Sequence, residues 1–237
     1  MDAGGEEPRR LTVSVLVPTW NEERALPALL ASLGPAGGAD EVVVGDAGSH
    51  DATVRTARAL GARVVFSALG RGTQLAVAAQ AAAGDILVVL HADARLGVGA
   101  LDAVRAAFRE PGLAAAGLRQ RIDHPRAIYR RIERAADARV RRGIVYGDSG
   151  LSVRREAYEA AGGFRSVPLF EDLELSRELA RIGRIELLET AELTLSARRW
   201  QRRGVVRQTL RNRALTLAWR LGVPPERLAR HYARNDR

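Results

Sequence analysis

Four apolar runs separated by three helical stretches constrain this chain more than any other feature. LTVSVLVP (11–18), EVVVGD (41–46), ARVVFS (62–67) and DILVVLHAD (85–93) are rich in β-branched residues and lack the polar alternation of a half-solvated strand. Arg24 to Leu33, DATVRTARAL (51–60) and an alanine-rich stretch at about 73–83 read as helices, the second opened by a Ser/His/Asp cluster suited to an N-cap. Strands that are apolar on both faces need cover on both faces, and interleaved helices supply it when the strands run parallel. The pattern predicts an α/β fold: a doubly wound, mostly parallel sheet with helices on both faces. Such sheets bind ligands beyond the carboxyl ends of their strands.

Polar groups converge on those ends. Pro18, Thr19, Asn21 and Glu22 follow the first strand, Asp46, Gly48 and Ser49 the second, Gly70-Arg71-Gly72 the third, and His91 and Asp93 the fourth. One acidic strand end is commonplace; several in succession point to a site. The second half is less regular. A strand is expected at 114–123 and a basic amphipathic helix from Pro125 to Arg142. GDSGLSVRREAYEAAGGF (147–164) reads as a loop, a short strand and a helix ended by Gly162-Gly163, and 169–183 as an acid pair opening a helix. Strands are expected near 185–188 and 193–197, with mostly helical chain from Gly204.

Composition narrows the chemistry. The 237 residues contain no cysteine, which excludes disulfides, a thiolate nucleophile and cysteine-based zinc sites. All basic residues are arginine, so a Walker lysine and a Schiff-base lysine are excluded as well. The net charge of +9 permits nucleic acid, an anionic membrane or phosphorylated substrates as partners, and equally suits arginine-rich solvated helix faces. No apolar run reaches the ~18 residues of a membrane span. MDAGGEEPRR carries no apolar signal segment, so a cytoplasmic protein is the expectation.

VPTWNEE, VVVGDAGSHDAT, LHADA and GGF followed by ED, in this order, resemble the family 2 glycosyltransferases of the GT-A fold over about 12–222. SARRW (196–200) further resembles a small soluble subgroup often found beside radical-SAM proteins. The resemblance implies a GT-A catalytic domain at 11–203, with a nucleotide-binding half at about 11–95 and an acceptor half at about 96–203. A disordered N-terminus (1–10) and a C-terminal helical extension (204–237) would flank it. It also implies a nucleotide-sugar donor, UDP-sugar by default, an unknown small-molecule or lipid-linked acceptor, inverting transfer and a divalent metal, Mn²⁺ or Mg²⁺. Charge develops on the departing diphosphate, and a hard cation held by carboxylate oxygen stabilises it.

By that match Asp93 is the metal ligand, with His91, where the family usually has aspartate, as ligand or nucleotide contact; a neutral imidazole tilts the preference toward Mn²⁺. Pro18, Thr19, Glu22 and Asp46 are expected to line the nucleotide pocket. Asp172 matches the catalytic base, with Glu171 beside it and Asp148 as a second acid near the acceptor. Arg71 is expected to reach base or phosphate, Arg198 and Arg199 to clamp the diphosphate, and Trp200 to stack on sugar or acceptor.

Plainer roles compete. Asp46 suits its own Gly-Ser turn, Asp51 a helix cap, Asp93 a distant N-cap, and Glu171 and Asp172 a helix dipole. Arg71, Arg198, Arg199 and Trp200 equally suit a surface. A non-catalytic nucleotide-sugar or nucleic-acid binding module is the alternative function; a sugar-phosphate nucleotidyltransferase and a Rossmann dehydrogenase fit less well, because the first strand–helix turn lacks a glycine-rich loop. No nucleic-acid partner is expected. Val206, Leu210, Ala214, Leu217, Ala218 and Leu221 form an apolar stripe on the last helix, expected to pack on the core or a second copy rather than on an anionic membrane.

Overall fold

A computed structural model describes residues 9–34, 37–167, 169–225 and 227–229. Most of the expected disordered N-terminus, and the C-terminal extension from 230 onward, fall outside the described residues.

The four expected strands form β1 (Val13–Thr19), β2 (Glu41–Asp46), β3 (Arg63–Phe66) and β4 (Ile86–Val89). β1 pairs in parallel with β2 and β4, and β2 with β3. β7 (Ser152–Arg154) continues the sheet antiparallel to β4, and β6 (Leu113–Ile122) runs antiparallel to β7. β8 (Arg184–Leu195) lies parallel to β6, and β5 (Ala94–Leu96) closes the edge antiparallel to β8. The order is β3-β2-β1-β4-β7-β6-β8-β5. Only β5 and β7 oppose the other strands, so the sheet is mixed but mostly parallel, as the patterning required.

Period-2 alternation sorts the core. Val13, Val15 and Val17 face a layer containing α1 (Leu26–Leu33), α2 (Thr53–Ala59) and α4 (Ala100–Ala107). Leu16, Leu87 and Val89 face α3 (Arg71–Ala81), α5 (Ala127–Val140), α6 (Arg155–Ala160) and α7 (Glu171–Ile182). Leu26, Leu29, Leu30 and Leu33 recur at helical spacing and are all buried, each contributing about 2 kcal/mol of burial.

Two elements depart from expectation. The strands predicted near 185–188 and 193–197 are one strand, β8, whose register against β6 jumps from Leu118–Leu188 to Arg119–Glu192. The intervening Glu189-Thr190-Ala191 bulges out of the ladder, which gives the sequence its loop-like break. β5 was not expected: three residues make too short a pattern to announce a strand.

The C-terminal stripe does not pack on the core of its own chain. α8 (Arg198–Arg203) leads into α9 (Val205–Arg220). Val206, Leu210, Leu217 and Leu221 are 67%, 60%, 58% and 76% exposed, while Gln208 is buried. Aromatic packing sets this rotation. Trp219 stacks against Phe170 with ring centroids 5.5 Å apart, and the Arg177 guanidinium lies 4.0 Å from the Trp219 ring centroid. Among the described residues, no helix is long and apolar enough to cross a membrane.

Candidate active site

The parallel strands deliver their carboxyl ends to one edge, and the loops there are stapled together. Asp46 is fully buried: Oδ1 accepts from the Gly48 and Ser49 amides at 2.9 and 2.8 Å, and Oδ2 from the Thr19 and Ser49 hydroxyls at 2.9 and 2.6 Å. Asn21, in left-handed conformation, donates its amide to Ser49 Oγ at 2.8 Å and accepts from the His50 amide at 2.9 Å. The Glu23 amide donates to Asp51, and Glu23 accepts from the Ala52 amide. Asp51 also accepts from the Thr53 amide at 2.9 Å, just ahead of α2. Gln74 bridges beneath, donating to the Thr19 and Gly45 carbonyls at 2.7 and 3.0 Å. These groups build the rim. Thr19 and Asp46, expected as ligand contacts, are buried here, and Asp46 bonds both its own Gly48-Ser49 turn and the Thr19 hydroxyl on β1.

The fourth strand end differs. The Leu90 amide is the last bonded to β1, at 3.0 Å from the Leu16 carbonyl. The Ala94 amide then donates to the His91 carbonyl at 3.0 Å, closing a four-residue turn that sends the chain back as β5. Ala92 is buried, while His91 and Asp93 stand half-buried at the tip. They line a cavity with Asp148, Ser196, Trp200 and Asn212. A second cavity holds His91, Asp148, Tyr146, Asp172 and Arg71, and a third joins Asp93 to Arg198. Pro18, Thr19, Glu22 and Asp46 line none of these three.

Gly147 sits between the two acidic sides. Its amide donates to Asp172 Oδ2 at 2.9 Å. A Cβ added to it would lie 3.5 Å from His91 Nε2 and 3.6 Å from Asp172 Oδ2. The strand-end histidine and the helix-start aspartate, far apart in sequence, therefore flank one backbone position.

Glu171 and Asp172 open α7 behind Phe170, a non-glycine residue at φ 68°. Both acids are buried, and both accept from Arg71 at the start of α3: Nε bonds Glu171, and Nη2 lies 3.2 Å from Asp172. Arg71 thus begins a helix and meets the acid pair instead of standing in a loop. Burial pushes the Glu171 carboxyl above its ordinary value; Arg71 opposes this and the Asp172 charge adds to it. Glu171 Oε2 is buried without a hydrogen-bond partner among the described residues. Contact between α3 and α7 is close at Gly72, where a Cβ would run into the Arg165 carbonyl and come within 3.0 Å of Glu171 Cβ.

Asp148 is held from α5. Arg139 Nη2 lies 3.1 Å from Asp148 Oδ1, and its guanidinium carbon is 3.8 Å from the Tyr146 ring centroid. Trp200 meets Tyr129 edge-on at 6.2 Å, so part of its ring is core and part lines the cavity. The side chain of Arg199 lies outside the described residues. From α9, Gln208, Asn212 and Thr216 form a wall of these cavities. Sequence reasoning missed Arg139, Tyr146 and Asn212. Arg139 is one arginine among many on an amphipathic helix, and only adjacency to Gly147-Asp148 distinguishes Tyr146.

The sequence model for glycosyl transferase family 2 matches residues 14–167. A glucosyl-3-phosphoglycerate synthase of Mycobacterium tuberculosis is 39% identical over 93 residues, 35% of this chain and 29% of that protein. The chain thus spans under a third of the curated relatives it matches. Mannosyltransferase PcManGT from Pyrobaculum calidifontis, solved with GDP-Man and Mn²⁺, superposes with a TM-score of 0.68 at 22% identity, over 94% of this chain and 69% of that one. The M. tuberculosis synthase solved with Mn²⁺ and UDP-glucose gives 0.55 at 23% identity, over 78% and 70%. At these identities the superpositions establish the GT-A fold.

Proposed function

Because the chain belongs to glycosyl transferase family 2, we propose that it transfers a sugar, with inversion, from a nucleoside diphosphate sugar to an acceptor hydroxyl in the cytoplasm. UDP is the default donor nucleotide. The observation that carries this reading is the juxtaposition at Gly147: His91, which shares a cavity with Asp93, on one side and the buried Asp172 on the other.

The donor set fits a divalent cation only when substrate completes it. Among the described residues no three His, Asp or Glu side chains are placed to hold an ion alone. Asp93 offers one carboxylate and His91 one imidazole, and diphosphate oxygens would supply the remainder, a pattern typical of Mg²⁺ and Mn²⁺ at phosphate sites. When bound, the ion neutralises charge developing on the departing diphosphate. Arg198, which shares a cavity with Asp93, suits the same diphosphate, and we extend that role to Arg199.

On the acceptor side, Asp172 takes the hydroxyl proton as the acceptor oxygen forms its bond to the anomeric carbon and the sugar–phosphate bond breaks. Nucleoside diphosphate leaves, and the proton resides on Asp172. A base opposite the leaving group implies in-line displacement and inversion. The Gly147 amide fixes Asp172, and Arg71 holds both acids against mutual repulsion. Asp148 stands beside the approach and Trp200 offers a stacking face. Pro18 and Glu22 belong to the nucleotide rim, with Thr19 and Asp46 supporting it.

The test is a donor screen. Hydrolysis of UDP-, GDP- and dTDP-sugars is followed with Mn²⁺, Mg²⁺ or chelator. Turnover of one nucleotide class, abolished by chelation, is expected; no metal-dependent binding or turnover of any donor would refute the reading.

A further inference from the structure

A groove of about 650 Å³ between α5 and α9 is larger than the catalytic cavities and unused by the chemistry above. Ile128 and Ile132 line one wall and Val206, Leu210 and Leu217 the other. The three α9 residues are more than half exposed, the reverse of an ordinary amphipathic helix. The groove runs into Tyr146 and Asp148, which also line the cavity of Asp172. Arg131 and Arg213 are exposed along it and form no ion pair among the described residues.

We propose that this groove receives the apolar part of a negatively charged amphiphilic acceptor, whose hydroxyl reaches Asp172 past Tyr146 and Asp148. The proposal rests on the glycosyl-transfer reading and names its acceptor class. Apolar walls favour a hydrocarbon chain or ring, the two arginines suit its anionic group, and continuity with the catalytic cavity gives the orientation. A second copy fits less well. It would cover this approach to Asp148, and two molecules of net charge +9 would bring their Arg131 and Arg213 together.

Lysophosphatidic acids with hexanoyl, decanoyl and tetradecanoyl chains, below their micelle concentrations, supply chain, anion and hydroxyl in one probe. Binding is read from tryptophan fluorescence, since Trp200 lines the groove. Affinity is expected to rise about threefold per added methylene until the groove is filled. Leu210→Asp and Val206→Asp, both at exposed positions, should each weaken decanoyl binding about tenfold or more, and uncharged decanoyl glycerol should bind more weakly than its phosphate. Affinity independent of chain length, or unchanged in both variants, overturns the proposal. So does a concentration-dependent dimer in sedimentation that Leu210→Asp abolishes while chain length has no effect. Mn²⁺-dependent UDP binding, measured in parallel, reports the donor side separately: its loss would count against the transfer reading and leave the chain-length result to decide the groove.

Discussion

Removing Arg71 tests how the acid pair is held. Glu171 and Asp172 are buried side by side, and Arg71 bonds both. Breaking a buried ion pair by deleting one partner costs about 3–5 kcal/mol, because the remaining charge is left uncompensated. The Arg71 side chain is one-third exposed and water shares its load, so the lower end applies. Arg71→Ala should lose about 3 kcal/mol near neutral pH, or roughly 6–12 °C in Tm for a domain of this size. The loss should depend on pH. The Glu171 carboxyl already lies above its unfolded value, so its contribution to stability is fully present below the ordinary glutamate range and is lost as pH rises through its folded value. Without Arg71 that folded value rises further. The deficit against wild type should shrink toward mild acid, as Glu171 takes up its proton, and grow toward pH 8. Denaturant unfolding at both ends of this range measures it, and Arg71→Ala/Glu171→Gln, lacking one buried charge, should recover much of the loss. A deficit below about 1 kcal/mol, a deficit constant with pH, or a double variant no more stable than Arg71→Ala would refute the reasoning.

Asp93→Ala should weaken Mn²⁺-dependent UDP binding about tenfold or more by calorimetry without unfolding the chain; an unchanged titration removes Asp93 from the metal site. Asp172→Asn should keep donor binding and lose about 10²–10⁴ in transfer rate, with inverted product from the wild type by NMR; near-normal turnover or a retained configuration contradicts the base assignment. Gly72→Ala should cost about 1–3 kcal/mol, because its Cβ meets the Arg165 carbonyl; unchanged unfolding would show that the loop before α7 can move away from α3 freely. Asp46→Ala should cost roughly 2–4 kcal/mol by orphaning the Thr19, Gly48 and Ser49 donors, and a variant that loses nucleotide affinity at unchanged stability would return Asp46 to the ligand surface.

The parallel half of the sheet, β1 to β4, was legible because its strands are continuous apolar runs. Period and length fix which residues face each layer, and parallel pairing fixes which end carries His91 and Asp93. The family resemblance, carried by the order of the motifs, assigned Asp93 to the donor side and the acid pair to the acceptor side of the proposed reaction. Tertiary structure decided that His91 and Asp172 flank Gly147, because that contact joins the turn after β4, the 147–149 turn and α7, whose spacing has no local signature. It decided that Arg71 belongs to the acids, since a guanidinium in an arginine-rich chain can pair with any carboxylate within reach. It also decided the rotation of α9. Apolar periodicity says that a helix has two faces, but the inward face depends on what lies opposite: here Phe170 captures Trp219, Gln208 turns inward, and Val206 and Leu210 line an open groove. Local patterns record each residue's preference for water, whereas packing satisfies those preferences jointly across elements that the sequence keeps apart.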